Sequence, residues 1–274
     1  MAAIEPIDIV ELGVKDAQAG LVLSSEAGWN QSEADWRFFL SHGIVFGVRD
    51  SGRLIATAAL LPYSAGNAWI SMVLVTADFR RRGIATKLVD ACLDAAKRRG
   101  LTAWLDATPA GATVYGPLGF VPTLQLRRLR LERRQTAKAT RPSSAGSLDA
   151  LATRDSRAMG FDRNTLLSEF AARPRSRIVS DERAIALVRD GRAARHIGPV
   201  LADRADQALG LVDAIVRSES GPWLIDAVHA QDAFLEGLVH AGWNIERPFQ
   251  RMRFGKAAVS PAQLPFAVAG PEFG

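Results

Sequence analysis

Three consecutive arginines, Arg80, Arg81 and Arg82, precede Gly83, Ile84, Ala85 and Thr86, and the set follows closely on an apolar run, Trp69-Ile-Ser-Met-Val-Leu-Val-Thr76. A polyphosphate is what such a set can hold. The first N–H groups of a helix have no intrahelical acceptor and mark the positive end of its dipole, so an anion satisfies both. Gly83 carries no Cβ to keep a phosphate oxygen off the backbone, Ala85 is small, and the Thr86 hydroxyl is a further donor. The arginines add long-range attraction. The spacing has neither the Gly-Lys-Ser/Thr ending of a Walker phosphate loop nor the three spaced glycines of a dinucleotide fingerprint.

A second group gathers Glu26, Trp29, Asn30, Gln31, Ser32, Glu33, Asp35 and Trp36 within a short span. Two readings of it stand. Its carboxylates and indoles could hold a cationic amine and take its proton, with Glu26 or Asp35 as base and Trp29, Asn30 and Trp36 lining the pocket. Equally, the indoles are core anchors and the acids cap a helix. The four histidines, His42, His196, His229 and His240, are dispersed without metal-ligand spacing, no Gly-x-Ser-x-Gly elbow exposes a nucleophile, and no metal is expected.

The elements that must position these residues are read from periodicity and punctuation. In the first half, strands are expected over 7–11, 44–49, 54–62, 69–76, 102–107 and 120–133, and helices over 15–27, 32–40, 84–99 and 110–118. Asp50-Ser-Gly52 has the chemistry of a hairpin turn, and Ser32 that of a helix cap. In the second half, strands are expected over 184–189, 193–201, 223–228 and 245–254, with helices over 205–216 and 232–240. Small polar residues broken by proline and glycine mark 135–147 as a linker.

Arg80-x-x-Gly83-x-Ala85 after an apolar strand resembles the acetyl-CoA signature of the GNAT family of N-acetyltransferases, as does the order of two helices after the first strand and three strands before the long helix. Ala112-Thr-Val-Tyr115-Gly-Pro-Leu-Gly119-Phe120 resembles the alanine, tyrosine and Gly-Phe arrangement at the end of that fold. The resemblance implies that the backbone of Val73, Leu74, Val75 and Thr76 holds the pantetheine and that Arg80, Arg81, Arg82, Gly83, Ile84, Ala85 and Thr86 take the pyrophosphate. It also implies that Tyr115 protonates the departing thiolate. A phenol suits that task, since the reference pKa values of phenol and thiol lie within about two units. Tyr115 as a core-filling ring is the alternative. The glutamate frequent in the family on the strand before the turn is absent, because 69–76 has no acid.

The second half, with Gly160-Phe-Asp-Arg163, Ile197-Gly-Pro-Val200 and Arg251-Met-Arg-Phe-Gly255, resembles the C-terminal domain of tandem GNAT proteins. Its turn, Leu201-Ala-Asp-Arg-Ala-Asp206, places two carboxylates where a pyrophosphate would approach. One acetyl-CoA site per chain is therefore expected. The expected domains are 1–134 for the first GNAT domain, 135–147 for the linker, 148–258 for a degenerate second domain and 259–274 for a tail from which no role is drawn. No clear seventh strand follows Arg133, so the second half is expected to supply one.

Composition sets the frame. The chain has 274 residues, a formal net charge of +5 and one cysteine, Cys92. Arginine scattered through both halves, and Arg127-Arg-Leu-Arg-Leu-Glu-Arg-Arg134 alternating as a half-solvated strand, favour an ordinary basic surface over a nucleic-acid patch. No charge-free apolar run reaches the roughly 18 residues of a membrane span, and the start lacks a leader pattern. A lone cysteine fits a reducing compartment. The expectation is thus an α/β (α+β) chain of two tandem GNAT-like domains, each a mixed, mostly antiparallel sheet flanked by helices. It is expected to be cytoplasmic, a monomer or homodimer, binding neither nucleic acid nor membrane. It would move an acetyl group from acetyl-CoA to a small primary amine by direct attack in a ternary complex. A protein-lysine acetyltransferase and a non-catalytic acyl-CoA sensor are the alternatives.

Overall fold

A computed structural model describes residues 8–132, 144–181, 183–255 and 263–274. The expected linker lies largely outside these residues, as do Arg133 and the start of the expected tail. By contacts the chain divides into two compact units, 1–62 with 66–105, and 63–65 with 106–274.

In the first unit, β1 (Ile9–Glu11), α1 (Ala17–Glu26), α2 (Glu33–His42), β2 (Ile44–Asp50), β3 (Arg53–Pro62), β4 (Asn67–Val75), α3 (Ile84–Arg98) and β5 (Thr102–Ala107, completed in the second unit) follow one another. The strands lie in sequence order. All neighbours are antiparallel except β4 and β5, which pair in parallel at Asn67↔Thr102, Ala68↔Ala103 and Trp69↔Trp104. Asp50 pairs with Arg53 across Ser51 (φ 47°) and Gly52 (φ 82°), a two-residue turn with positive φ at both positions that suits the twist of a hairpin. Helix α2 starts on a reciprocal cap: the Asp35 amide donates to Ser32 Oγ at 3.3 Å and the Ser32 amide to Asp35 Oδ2 at 2.7 Å. One face of α3 buries Leu88, Val89, Cys92, Leu93 and Ala96. The core gathers Trp36, Phe39, Leu60 and Met72.

The second unit contains α4 (Pro109–Tyr115), β6 (Val121–Leu131), β7 (Ser144–Ala145), α5 (Leu148–Met159), α6 (Asn164–Ala172), β8 (Arg177–Ser180), β9 (Ala184–Arg189), β10 (Arg195–Ala202), α7 (Ala205–Ser218), β11 (Trp223–Val228), α8 (Asp232–His240) and β12 (Asn244–Phe254). Its strand order is β12-β6-β11-β10-β9-β8-β7, with only β10 and β11 parallel. Thus β6, from the first half of the sequence, lies between two strands of the second half. Helices α7 and α8 bury Leu211, Val212, Ile215, Phe234 and Leu238 against Val188, Ile225 and Trp223.

Two corrections to the sequence reading concern this unit. Helices α5 and α6 and strand β8 were not expected, although Ser147, whose Oγ accepts the Ala150 amide at 3.1 Å, is an ordinary cap signal. And within the expected tail, from which no role was drawn, Phe266, Ala267, Val268, Ala269 and Phe273 are buried, Phe266 and Ala267 in the same core cluster as α7 and α8. No helix among the described residues is long and apolar enough to cross a membrane.

Candidate functional site

The end of β4 departs from a regular strand. Ala59 pairs with Ser71 but Thr57 pairs with Leu74, so Ala58 faces two residues, Met72 and Val73. Met72 absorbs the extra residue at φ 52°, a left-handed conformation that costs energy for a side chain of this size. Buried Thr57 holds it there by donating its hydroxyl to the Met72 carbonyl at 2.8 Å. Past the bulge, the Thr76 amide donates to the Ile55 carbonyl at 2.9 Å. Alternation along a strand then turns the peptide groups of Leu74 and Thr76 toward β3 and those of Val73 and Val75 away from it. On that side pairing with β5 has already ended at Trp69, so the strand offers an edge of backbone donors and acceptors.

A short 3-10 turn (Ala77–Phe79) leads into the arginines. Arg80 Nε donates to the Val75 carbonyl at 3.0 Å, and Arg82 Nη2 to the Asp78 carbonyl at 2.7 Å while its guanidinium lies 4.8 Å from the centre of the Phe79 ring. Arg81 (φ 61°) and Gly83 (φ 76°) turn the chain into α3, and all four of Arg80, Arg81, Arg82 and Gly83 are exposed. Among the described residues no side chain caps this helix. Its first internal bond is Lys87 N–H to the Gly83 carbonyl at 3.1 Å, so the amides of Ile84, Ala85 and Thr86 have no intrahelical acceptor. A Cβ built on Gly83 would meet nothing within 4 Å. Open space, free donors and positive charge therefore coincide, and a pyrophosphate fits them.

Glu26 closes the other side of this strand end. Its Oε1 accepts from Thr76 Oγ1 at 2.6 Å and from the Ala77 amide at 3.1 Å, with Arg53 at 3.7 Å from Oε2. The Thr76 hydroxyl bond and then the Ala77 amide, with lesser help from Arg53 and Arg80, hold its carboxyl below the ordinary value against the opposing effect of desolvation. Asp35 is buried in the α2 cap, accepting from both the amide and the hydroxyl of Ser32, at 2.7 and 3.0 Å. Trp36 is buried, with Nε1 donating to Ser24 Oγ at 3.0 Å. Trp29 is half-buried, its amide bound to the Ser24 carbonyl at 2.9 Å, and Asn30 is buried. The fold thus gathers Glu26 with Thr76, but gives Asp35 and Trp36 the contacts of a cap and a core anchor. The bulge at Met72 and its brace Thr57 had gone unread; the only sequence signal was a hydroxyl in the apolar run Leu54-Ile-Ala-Thr57-Ala-Ala-Leu-Leu61.

In the second unit, Tyr115 ends α4, which Thr108 caps by accepting the Gly111 amide at 3.2 Å. Its ring centre lies 5.9 Å from that of Phe120, which lies 5.6 Å from Phe254. At the start of α7, Arg204 is engaged by Asp206 at 2.8 and 2.9 Å and Asp203 is paired with Arg154. At that turn arginines pair with carboxylates, whereas Arg80 and Arg82 at the start of α3 donate to main-chain carbonyls. Among the described residues no group of His, Cys, Asp and Glu could hold a metal ion.

Residues 17–120 match the acetyltransferase (GNAT) family and residues 151–264 an acetyltransferase (GNAT) domain. The chain is 22% identical over 249 residues, 86% of its length and 88% of the relative's, to the uncharacterized N-acetyltransferase YitH of Bacillus subtilis (strain 168). Among solved structures, a putative acetyltransferase from Pyrococcus horikoshii covers 99% of this chain and 97% of its own at a TM-score of 0.80 and 18% identity. A tandem GNAT protein from the clavulanic acid biosynthesis pathway covers 92% of this chain and all of its own, 100%, at 0.60 and 16%. With two GNAT matches in tandem spanning most of its length, the chain belongs to the GNAT family of acetyltransferases and is an acyltransferase.

Proposed function

We propose that the chain transfers an acetyl group from acetyl-CoA to a primary amine of a small molecule, using one cofactor site in the first unit. The observation that carries the reading is the uncapped start of α3 above a Cβ-free Gly83, beside the edge of β4 left open where its pairing with β5 ends at Trp69. In this reading the amides of Ile84, Ala85 and Thr86, with Arg80, Arg81 and Arg82, hold the pyrophosphate, and the peptide groups of Val73 and Val75 hold the pantetheine while Leu74 and Thr76 anchor the strand to β3. An amide donor from the strand toward the thioester oxygen would stabilise the charge that develops there.

The amine nitrogen attacks the thioester carbonyl carbon, the N–C bond forms, and the C–S bond breaks with its electron pair on sulfur. Tyr115 gives its phenolic proton to the departing thiolate, and the proton lost by the amine nitrogen passes through water to the Tyr115 oxygen, which regenerates the phenol. Trp29 and Asn30 line the acceptor side, while Trp36 supports them from the core. Glu26, ionised and bound to Thr76, serves chiefly to fix the end of β4, since a carboxyl held below its ordinary value is a weak base. Asp35 is committed to its cap.

Calorimetric titration of acetyl-CoA tests the reading. One site per chain is expected, weakened at least ten-fold in Gly83→Asp, whose carboxylate would stand among the free amides. Absence of binding by the unaltered chain overturns it.

A further inference from the structure

In the second unit, β10 and β11 pair in parallel only at Arg195↔Trp223, His196↔Leu224 and Ile197↔Ile225. Their ladder is as short as that of β4 and β5, and β10 is irregular in its pairing with β9 between Ile197 and Val200, just past the point where its ladder with β11 ends. Here the cleft between the parted strands is filled, by the chain's own 264–274. Ala267 bridges antiparallel to Val200 on one side and to Ala227 on the other. The Val200 amide donates to the Ala267 carbonyl and the Phe266 amide to the Val200 carbonyl, both at 2.9 Å; the Val228 amide donates to the Phe266 carbonyl and the Val268 amide to the Asp226 carbonyl, both at 3.0 Å.

Side chains fasten the segment along its length. Gln231 Nε2 donates to the Leu264 carbonyl at 3.2 Å, Arg189 Nη2 to the Ala269 carbonyl at 3.1 Å and the Tyr63 hydroxyl to the Phe273 carbonyl at 2.8 Å, while Arg163 Nη1 reaches the carbonyls of Phe273 and Gly274. The Phe273 ring stands edge-on to Phe170 at 4.9 Å. Gly198 is shaped to this contact: a Cβ there would lie 2.1 Å from the Val268 carbonyl oxygen. Main-chain bonds on both edges, a small-residue centre and a ring pocket at one end are the features by which a sheet takes up an extended peptide.

We propose that the cleft between β10 and β11 is a peptide-binding site whose ligand is residues 264–274 of the same chain, a built-in occupant of the place corresponding to the cofactor edge of β4. The correspondence with β4 rests on the function proposed above; the peptide site does not, and acetyl-CoA titration reads the one while peptide exchange reads the other.

The test replaces residues 257–261 of the full chain by a specific protease site and cleaves after folding. The body is expected to keep its circular dichroism and to retain the peptide through gel filtration. A labelled synthetic peptide of residues 263–274 should exchange into it, and the Val268→Pro peptide, lacking the amide that donates to Asp226, should compete at least ten-fold less well. Release of the peptide by a folded body, equal competition by the Val268→Pro peptide, or unfolding on cleavage, which would make the segment an integral strand, each overturns the proposal.

Discussion

Thr76 donates its hydroxyl to Glu26 at 2.6 Å, joining the last residue of α1 to the residue that follows β4. Because Glu26 also accepts the Ala77 amide, one carboxylate fixes the chain where the strand gives way to the arginine turn. Glu26→Ala is expected to weaken acetyl-CoA binding several-fold with kcat little changed, and Glu26→Gln to restore part of it; a loss in kcat alone would make the carboxylate a base rather than a brace.

The same bond fixes a sign for pH. The folded state holds the Glu26 carboxyl below its ordinary value of 4.5, so its contribution to stability is complete above that value and fades as pH falls through the folded one. Urea midpoints followed downward from pH 7 should therefore fall less in Glu26→Gln than in the unaltered chain over that acid range.

Asp226 sits wholly buried between Arg128, whose Nε and Nη2 reach its two oxygens at 2.8 and 2.9 Å, and His196 Nε2 at 2.9 Å. Asp226→Asn leaves the Arg128 guanidinium buried without its counter-charge and is expected to cost about 3–5 kcal/mol in urea unfolding. A cost below 1 kcal/mol would mean that water reaches the site.

Gly20 lies against the face of Trp36, where a Cβ would come within 2.4 Å of the ring. The helix preference of alanine, worth about 1 kcal/mol, opposes an overpacking cost of about 1–3 kcal/mol against a fully buried indole. Gly20→Ala is expected to lower the melting temperature, and an unchanged or higher one would show that α1 can shift.

Tyr115→Phe keeps the ring beside Phe120 and removes the phenolic hydroxyl that would give the proton. Turnover should fall about 100-fold or more while acetyl-CoA affinity is kept. Equal turnover would remove Tyr115 from the chemistry, and binding without turnover in either chain would favour a sensor.

What could be read from the sequence was whatever short-range chemistry decides. The Ser51-Gly52 hairpin, the Ser32 cap, the strands at 184–189 and 223–228 and the helix at 232–240 stand where turn residues and periodicity put them. Gly83 was read from the sequence for its missing Cβ; its left-handed φ of 76° is what the fold adds. The bulge at Met72 was not, since it depends on Thr57 in a neighbouring strand. Nor was the place of 264–274, which carries no period of its own and is set by two strands distant in sequence. Asp35 shows the limit from the other side: its residue type suits a base and a cap equally, and the bonds to Ser32 that make it a cap are visible only in the fold.

The position of β6 between β11 and β12 has a consequence for how the protein is made. As the chain leaves the ribosome β6 emerges long before either neighbour exists, and its arginine-rich edges wait unpaired until β11 and then β12 arrive. Pairing over such sequence distances is slow and leaves open strand edges exposed to other chains. Arg127, Arg128 and Arg130 give that strand a charge that opposes pairing with other chains, and in the folded chain Arg128 is buried with Asp226 as its counter-charge.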